Sequence, residues 1–275
     1  MTKRIVSVQD ISCLGKCSLT IALPILSAYG IETVILPSAI LSTHTGGFTG
    51  FTFMDLTEEM PKIIDHWKKE QITFDAVYTG YIGDARQFGM IADLKQMLSP
   101  GGTFFVDPAM ADHGKLYPAL SEEIVSGMRD LVRAADVVLP NLTEAAFLLE
   151  EPYQESYTRE EIGAMVKKLA AMGPSVVILT GVSYEPGRIG AVSYEKDTQT
   201  MTEYFTTFME KSYHGTGDAF SSVAIADLLN GKSMGETLED ACEFIVDAIK
   251  ETIPHSGMEY GVDFEQVLAK KMQLK

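Results

Sequence analysis

Four short segments of this 275-residue chain hold residue types that could do chemistry. In His214-Gly-Thr-Gly-Asp218 two glycines precede a long apolar stretch, 219–229, with helical character. Glycine admits backbone angles closed to other residues, so consecutive N–H groups can converge on an anion. The start of a helix adds further donors and a partial positive charge. Together they form a cradle for phosphoryl oxygens, and Asp218 stands where it could take a proton from a hydroxyl. The same residues also suit a plain helix cap made by Thr216 or Asp218. In Val137-Val-Leu-Pro-Asn-Leu-Thr-Glu144 a strand ends at Pro140 and Asn141 opens a helix. Asn three residues before Glu is a capping pattern; Glu144 is also placed to orient water around Mg²⁺ on a polyphosphate. In Phe105-Val-Asp-Pro-Ala-Met-Ala-Asp112, Asp107 ends a buried strand and Asp112 follows in the loop. Such a pair suits a metal, a cation or a polar substrate group, although Asp-Pro also starts ordinary turns. The fourth segment, Ser42-Thr-His-Thr-Gly-Gly-Phe-Thr-Gly50, is a small-residue loop. It can fold over a flat ligand, with His44 and Thr45 offering hydrogen bonds, or serve as a flexible connection.

The elements that must position these segments alternate from end to end. Strand-like runs fall at 4–8, 33–36, 76–79, 103–106, 137–139 and 176–179, most of them nearly continuous in apolar residues. That is expected where helices cover both faces of a parallel sheet. Helical patterns occupy 18–29, 56–69, 85–98, 122–134 and 159–171, and Pro24 should kink the first or reset its start. Runs 189–194 and 201–206 predict an antiparallel hairpin, and helices over 219–229, 235–251 and 263–271 complete the chain. Repeated β-α-β units predict an α/β, doubly wound, mostly parallel central sheet, with ligands beyond the carboxyl ends of its strands. No repeat or linker divides the chain, so residues 1–275 are expected to form one domain.

Composition removes several classes. With 22 Lys and Arg against 38 Asp and Glu the formal charge is −16, which opposes a nucleic-acid footprint and an anionic membrane surface. No apolar run approaches the roughly 20 residues a membrane helix needs. The beginning of the sequence lacks a secretory apolar region, so a cytoplasmic protein is expected. Cys13, Cys17 and Cys242 form neither a C-x-x-C pair nor an even disulfide framework. The fragments Gly15-Lys16-Cys17 and Gly231-Lys232-Ser233 lack the earlier glycine of a Walker loop, and no G-x-G-x-x-G is present. His66, His113 and His255 have no metal-ligand spacing.

The order and context of the four segments resemble the ribokinase-like superfamily and, within it, the pyridoxal kinase group. The resemblance rests on Thr43-His-Thr-Gly46, Tyr78-Thr-Gly-Tyr81, Asp107-Pro-Ala-Met-Ala-Asp112, Pro140-Asn-Leu-Thr-Glu144, Leu179-Thr-Gly181 and Gly215-Thr-Gly-Asp218, and it spans nearly the whole chain. It implies a ribokinase-like fold and ATP-dependent phosphorylation of the 5′-hydroxymethyl group of a B6 vitamer; another small-molecule kinase, for example one acting on hydroxymethylpyrimidine, is the alternative. By similarity Asp218 is the base, and Gly215, Thr216 and Gly217 form the anion hole for the transferred phosphoryl group. Asn141 and Glu144 manage Mg²⁺ through water and phosphate, Asp107 and Asp112 lie near the phosphates and their cations, and Thr180 and Gly181 stand on the nucleotide side. Glu144 and Asp107 are thus the implied metal-associated residues, with a monovalent cation such as K⁺ as a further expectation. Thr45 and Tyr81 contact the pyridine ring, beside His44 and Asp10. The implied partners are ATP, a small-molecule substrate and a second copy of the chain.

One position departs from the family. Many pyridoxal kinases have a small hydroxyl residue where Gln9-Asp-Ile-Ser12 has Asp10, unless the register places Ser12 at the ring instead. A carboxylate there favours a cationic ligand, either a protonated ring nitrogen or an aminomethyl group, which tilts the expectation toward pyridoxamine. The loop 109–115 holds no cysteine, so the variant of the superfamily that uses one there is not matched.

Overall fold

The computed structural model describes residues 2–117, 120–211, 213–255 and 260–273. Its centre is a nine-stranded sheet. In chain order the strands are β1 (Arg4–Leu14), β2 (Glu32–Thr43), β3 (Phe53–Asp55), β4 (Phe74–Thr79), β5 (Leu98–Val106), β8 (Val137–Val138), β9 (Val176–Val182), β10 (Arg188–Glu195) and β11 (Thr200–Thr207), arranged β11-β10-β9-β8-β5-β4-β1-β2-β3. The six strands from β2 to β9 pair in parallel, while β3 and the hairpin β10–β11 add antiparallel edges. A separate two-stranded ribbon, β6 (Ala111–Asp112) with β7 (Lys115–Leu116), lies in the connection after β5.

Two apolar layers sandwich the sheet. On one face lie α2 (Met60–Lys69), α3 (Gln87–Leu94), α4 (Glu122–Ala134), α5 (Leu142–Leu149) and α6 (Arg159–Met172), packed on Val6, Val8, Val77, Phe104, Val106 and Val177. On the other lie α1 (Leu19–Ala28), α7 (Thr216–Leu229), α8 (Met234–Thr252) and α9 (Glu265–Gln273), packed on Ile5, Ala76, Tyr78, Phe105 and Ile178. Alternate residues of one strand therefore enter opposite layers, which explains why these strands read as continuous apolar runs. Helix α7 is buried nearly all round, as its apolar sequence demands.

Several elements depart from their predicted extents. Helix α1 runs through Pro24 without resetting its start: the lost backbone donor is offset by full burial of Ile21, Ala22, Ile25 and Leu26 on both sides of it. The 56–69 and 85–98 patterns contract to α2 and α3, with Lys95–Met97 a 3₁₀ turn. Most consequentially, β1 and β2 continue well beyond the predicted 4–8 and 33–36. Strand β4 pairs only with residues 5–8 of β1, so the later halves of β1 and β2, together with β3, project past the carboxyl edge of the sheet. The extension carries polar residues because it lines a crevice and not the core. The register slips opposite Asp10, where Gln9 pairs with Pro37 but Ile11 pairs with Ile40.

Chain reversal between β2 and β4 about β1 creates a switch point at the carboxyl ends of β1 and β4, where open α/β sheets bind ligands. Backbone hydrogen bonds step across this edge: Gly80 N to Val8 O (3.2 Å), Asp107 N to Thr79 O (2.9 Å), Leu139 N to Val106 O (3.0 Å) and Thr180 N to Pro140 O (2.9 Å). They hold successive strand ends in register.

Phe104 is fully buried in the layer beneath this edge. Phe104→Ala should lower the unfolding free energy by about 3–5 kcal/mol, read from the shift of the urea midpoint.

Candidate active site

Helix α7 begins at the crevice with no side-chain cap. Gly215 stands at its N-cap with φ 82°, and a Cβ there would lie 2.1 Å from the Lys16 carbonyl oxygen, so both angle and space require glycine. Gly217 meets nothing: a Cβ there would have no neighbour within 4 Å. The capping alternative is overturned. Thr216 Oγ1 donates to the Tyr213 carbonyl (3.1 Å), and the Asp218 carboxylate accepts the Ser18 N–H (2.9 Å). First-turn amides of a helix have no intrahelical acceptor, so those of Thr216, Gly217 and Asp218 are available to an anion in the open space above Gly217.

Asp218 is part-buried, and its carboxyl is pushed up to about 6, chiefly by loss of water; the Ser18 N–H works in the other direction and the nearby charge of Asp10 contributes to the rise. Asp107, at the end of β5, is buried and accepts a 2.7 Å hydrogen bond from Ser221 Oγ, one turn beyond Asp218 on α7. Burial and the charge of Asp218 push it up to about 7.

Asn141 and Glu144 form a complete capping box at the start of α5, as their spacing predicts. Glu144 is buried, with one carboxylate oxygen accepting Asn141 N–H (2.8 Å) and the other accepting Met110 N–H (3.2 Å). Asn141 Nδ2 donates to the Ala111 carbonyl (2.8 Å), so the pair also secures the β6–β7 ribbon. Burial, with Asp107 nearby, holds the Glu144 carboxyl well above the usual range. Asn141 is bridged to Thr180 across the strand ends, and Gly181 follows with φ 74° and no neighbour above it. Asp112 is not gathered inward: it is exposed on the ribbon, its carboxylate accepting the His113 N–H (2.8 Å).

Asp10 lies on the extension of β1, almost wholly buried. Ser12 Oγ (3.0 Å) and Ser18 Oγ (2.6 Å) donate to its two oxygens. Both residues of the alternative register therefore share one location, with the carboxylate receiving the serine. Burial raises the Asp10 carboxyl, against the two hydroxyls and the positive influence of His44. Tyr81 is close enough to Asp10 to be pushed, mainly by its own burial, to about 12. The buried His44 ring packs on Phe48 (5.0 Å between centroids) and on His214 (4.9 Å), so the loop after β2 meets the start of α7. Thr45 is exposed in that loop.

The phosphomethylpyrimidine kinase family matches residues 25–263. The chain belongs to this family. A Bacteroides thetaiotaomicron protein assigned as a phosphomethylpyrimidine kinase and crystallised with pyridoxal is 38% identical, with a TM-score of 0.94 over 99% of this chain and 96% of that one. The pyridoxal kinase of Lactobacillus plantarum is 29% identical, TM-score 0.91, covering 100% and 98%. The pyridoxal kinase of Leishmania donovani, solved with ADP and pyridoxamine, shares the fold at 23% identity and TM-score 0.87, over 98% and 96%. The chain is thus a ribokinase-like phosphotransferase acting on an alcohol group. Family membership bears out the doubly wound fold and the kinase class.

Sequence reasoning missed Ser221, whose hydroxyl holds Asp107; it weighed Ser12 only as an alternative to Asp10 and not as its hydrogen-bond donor, and it read Ser18 only as the first residue of a helix. Ser221 carried one signal, its place three residues after Asp218 on the same helix face.

Burial raises the folded-state values of Asp107 and Asp218 above the unfolded one, so both carboxyls favour folding when protonated. That stability is present below about pH 4 and is lost as pH rises through about 6 for Asp218 and about 7 for Asp107. Asp218→Asn and Asp107→Asn should each melt higher than the wild type at pH 8, and the difference should vanish by pH 4 in thermal denaturation.

Proposed function

We propose that this chain phosphorylates the 5′-hydroxymethyl group of a B6 vitamer at the expense of ATP. The observation that carries the reading is the uncapped, glycine-opened start of α7 with a part-buried carboxylate beside it. An anion hole and a base at one helix terminus are what transfer of a phosphoryl group to an alcohol requires. In this reading the substrate oxygen attacks the γ-phosphorus while its proton passes to Asp218. The bond to the β-phosphate oxygen breaks, and the amides of Thr216 and Gly217, beside Gly215, receive the charge on the transferred group. Thr180 and Gly181 face the nucleotide, and Asp112 stands at the outer edge of its phosphates.

Mg²⁺ fits the residues present. Among the described residues no three His, Cys, Asp or Glu side chains come together to hold an ion by themselves. Asp107 and Glu144 instead leave buried negative charge whose burial is unfavourable. Mg²⁺ is commonly held by one or two carboxylates with phosphate oxygens and water completing its shell, and these two residues would supply that share. When bound, the ion neutralises charge on the phosphates.

At the other end of the crevice, Asp10, Tyr81, His44 and Thr45 form the ring site. Pyridoxal in the Bacteroides relative favours a pyridine ring over the pyrimidine alternative. The carboxylate of Asp10 supports a protonated ring nitrogen or aminomethyl group, hence pyridoxamine over pyridoxal. The chain is further proposed to work as one domain, as a homodimer and in the cytoplasm. No helix among the described residues is long and apolar enough to cross a membrane.

Side-by-side assays with ATP and Mg²⁺, with and without K⁺, should give turnover of pyridoxal, pyridoxamine or pyridoxine well above hydroxymethylpyrimidine; the reverse order would move the chain to the pyrimidine kinases. Asp218→Asn should lower kcat by roughly 10²–10⁴-fold, and wild-type kcat/KM should fall as pH drops below about 6, where Asp218 gains its proton. Asp10→Ser should shift the kcat/KM ratio of pyridoxamine to pyridoxal toward pyridoxal; an unchanged ratio would sink the cationic role of Asp10.

A further inference from the structure

Ser18 makes two contacts that neither its position nor its residue type explains. It is the N-cap of α1, yet its hydroxyl makes no capping bond. That hydroxyl donates to Asp10 at 2.6 Å, while its backbone N–H donates to Asp218 at 2.9 Å. The residue is buried, and its backbone sits at φ 50°, ψ −131°, a combination a side chain with a Cβ rarely adopts. Strain of this kind persists only where the surroundings over-determine it. Here they do: the Lys16 carbonyl is pressed against Gly215, Lys16 N–H donates to the Tyr260 carbonyl (2.5 Å), and Lys16 Nζ pairs with Asp263 and with Glu265 (2.8 Å). Residues 16–18 are thus clamped between the start of α7 and residues 260–265, which lead into α9.

The geometry points to Ser18 as a positioning residue that ties the ring-site carboxylate of Asp10 to the proposed base Asp218, so that one strained residue aligns recognition of the substrate ring with the group that receives the hydroxyl proton. This rests on the B6 kinase reading above. Its consequence is specific. The hydroxyl orients Asp10, and the N–H, which any residue at position 18 retains, orients Asp218. Removing the hydroxyl should therefore weaken ring binding and leave the chemical step nearly intact.

The test uses the full-length protein as wild type, Ser18→Gly, Asp10→Ser and the double variant. Glycine adopts φ 50° freely, so Ser18→Gly should melt no lower than wild type. It should raise KM for the preferred vitamer about tenfold with kcat changed less than about threefold, and in the Asp10→Ser background it should add less than about twofold. A KM within twofold of wild type, or the same tenfold loss without Asp10, would overturn the tie; so would a lowered Tm accompanying the KM change, which marks a merely structural role. A substrate-free arm separates this inference from the functional reading. The Tm changes of Ser18→Gly and Asp10→Ser should be non-additive whether or not any vitamer is turned over. Non-additive shifts in a wild type that phosphorylates no vitamer would fail the functional reading and keep the tie, whereas additive shifts in an active enzyme would do the opposite.

Discussion

Four carboxyl groups, those of Asp10, Asp107, Glu144 and Asp218, are held largely out of water along one crevice. Desolvation raises each of them, and the neighbouring charges of Asp10 on Asp218, Asp218 on Asp107 and Asp107 on Glu144 act in the same direction. A fold that accepts this has to supply donors from several elements at once. Ser12 and Ser18 serve Asp10, Ser18 N–H serves Asp218, Ser221 serves Asp107, and the amides of Asn141 and Met110 serve Glu144. What remains uncompensated is negative charge, which a positively charged group in the crevice would relieve.

The same constraint explains how the scaffold is drawn. Parallel strands end in register, so β1, β4, β5, β8 and β9 present Asp10, Tyr81, Asp107, Asn141 and Thr180 along one edge. Helix α7, packed on one face of the sheet, begins at that edge with its first-turn amides. Buried charge of this kind opposes folding at neutral pH, and the two apolar layers, one built on α2 to α6 and the other on α1 and α7 to α9, offset it. The site is thereby a local instability carried by a large core.

Much of this was legible in the sequence because the relevant signals are local. Apolar runs spaced by amphipathic stretches show a parallel sheet, and the hairpin after Leu179 announces itself by its turn. Asn141 and Glu144 make the capping box that their spacing implies. The errors have a common origin. The extensions of β1 and β2 were unreadable as strands because a strand lining a crevice alternates polar residues that look like a loop. The β6–β7 ribbon is too short for any periodicity to show. That Asp112 stands on the exposed ribbon, apart from the buried Asp107, was likewise not legible in their spacing.

What the sequence by itself determined is the set of reactive groups and the order of elements carrying them, since glycine spacing, capping patterns and apolar periodicity act within a few residues. The tertiary structure alone decided which groups meet. That Asp10 and Asp218, 208 positions apart in the sequence, are joined through Ser18 follows from α1 and α7 packing side by side on one face of the sheet. That a carboxylate there stands above its ordinary range follows from burial, which no local pattern encodes. Spacing along the chain measures neither distance nor water, and the chemistry of this site depends on both.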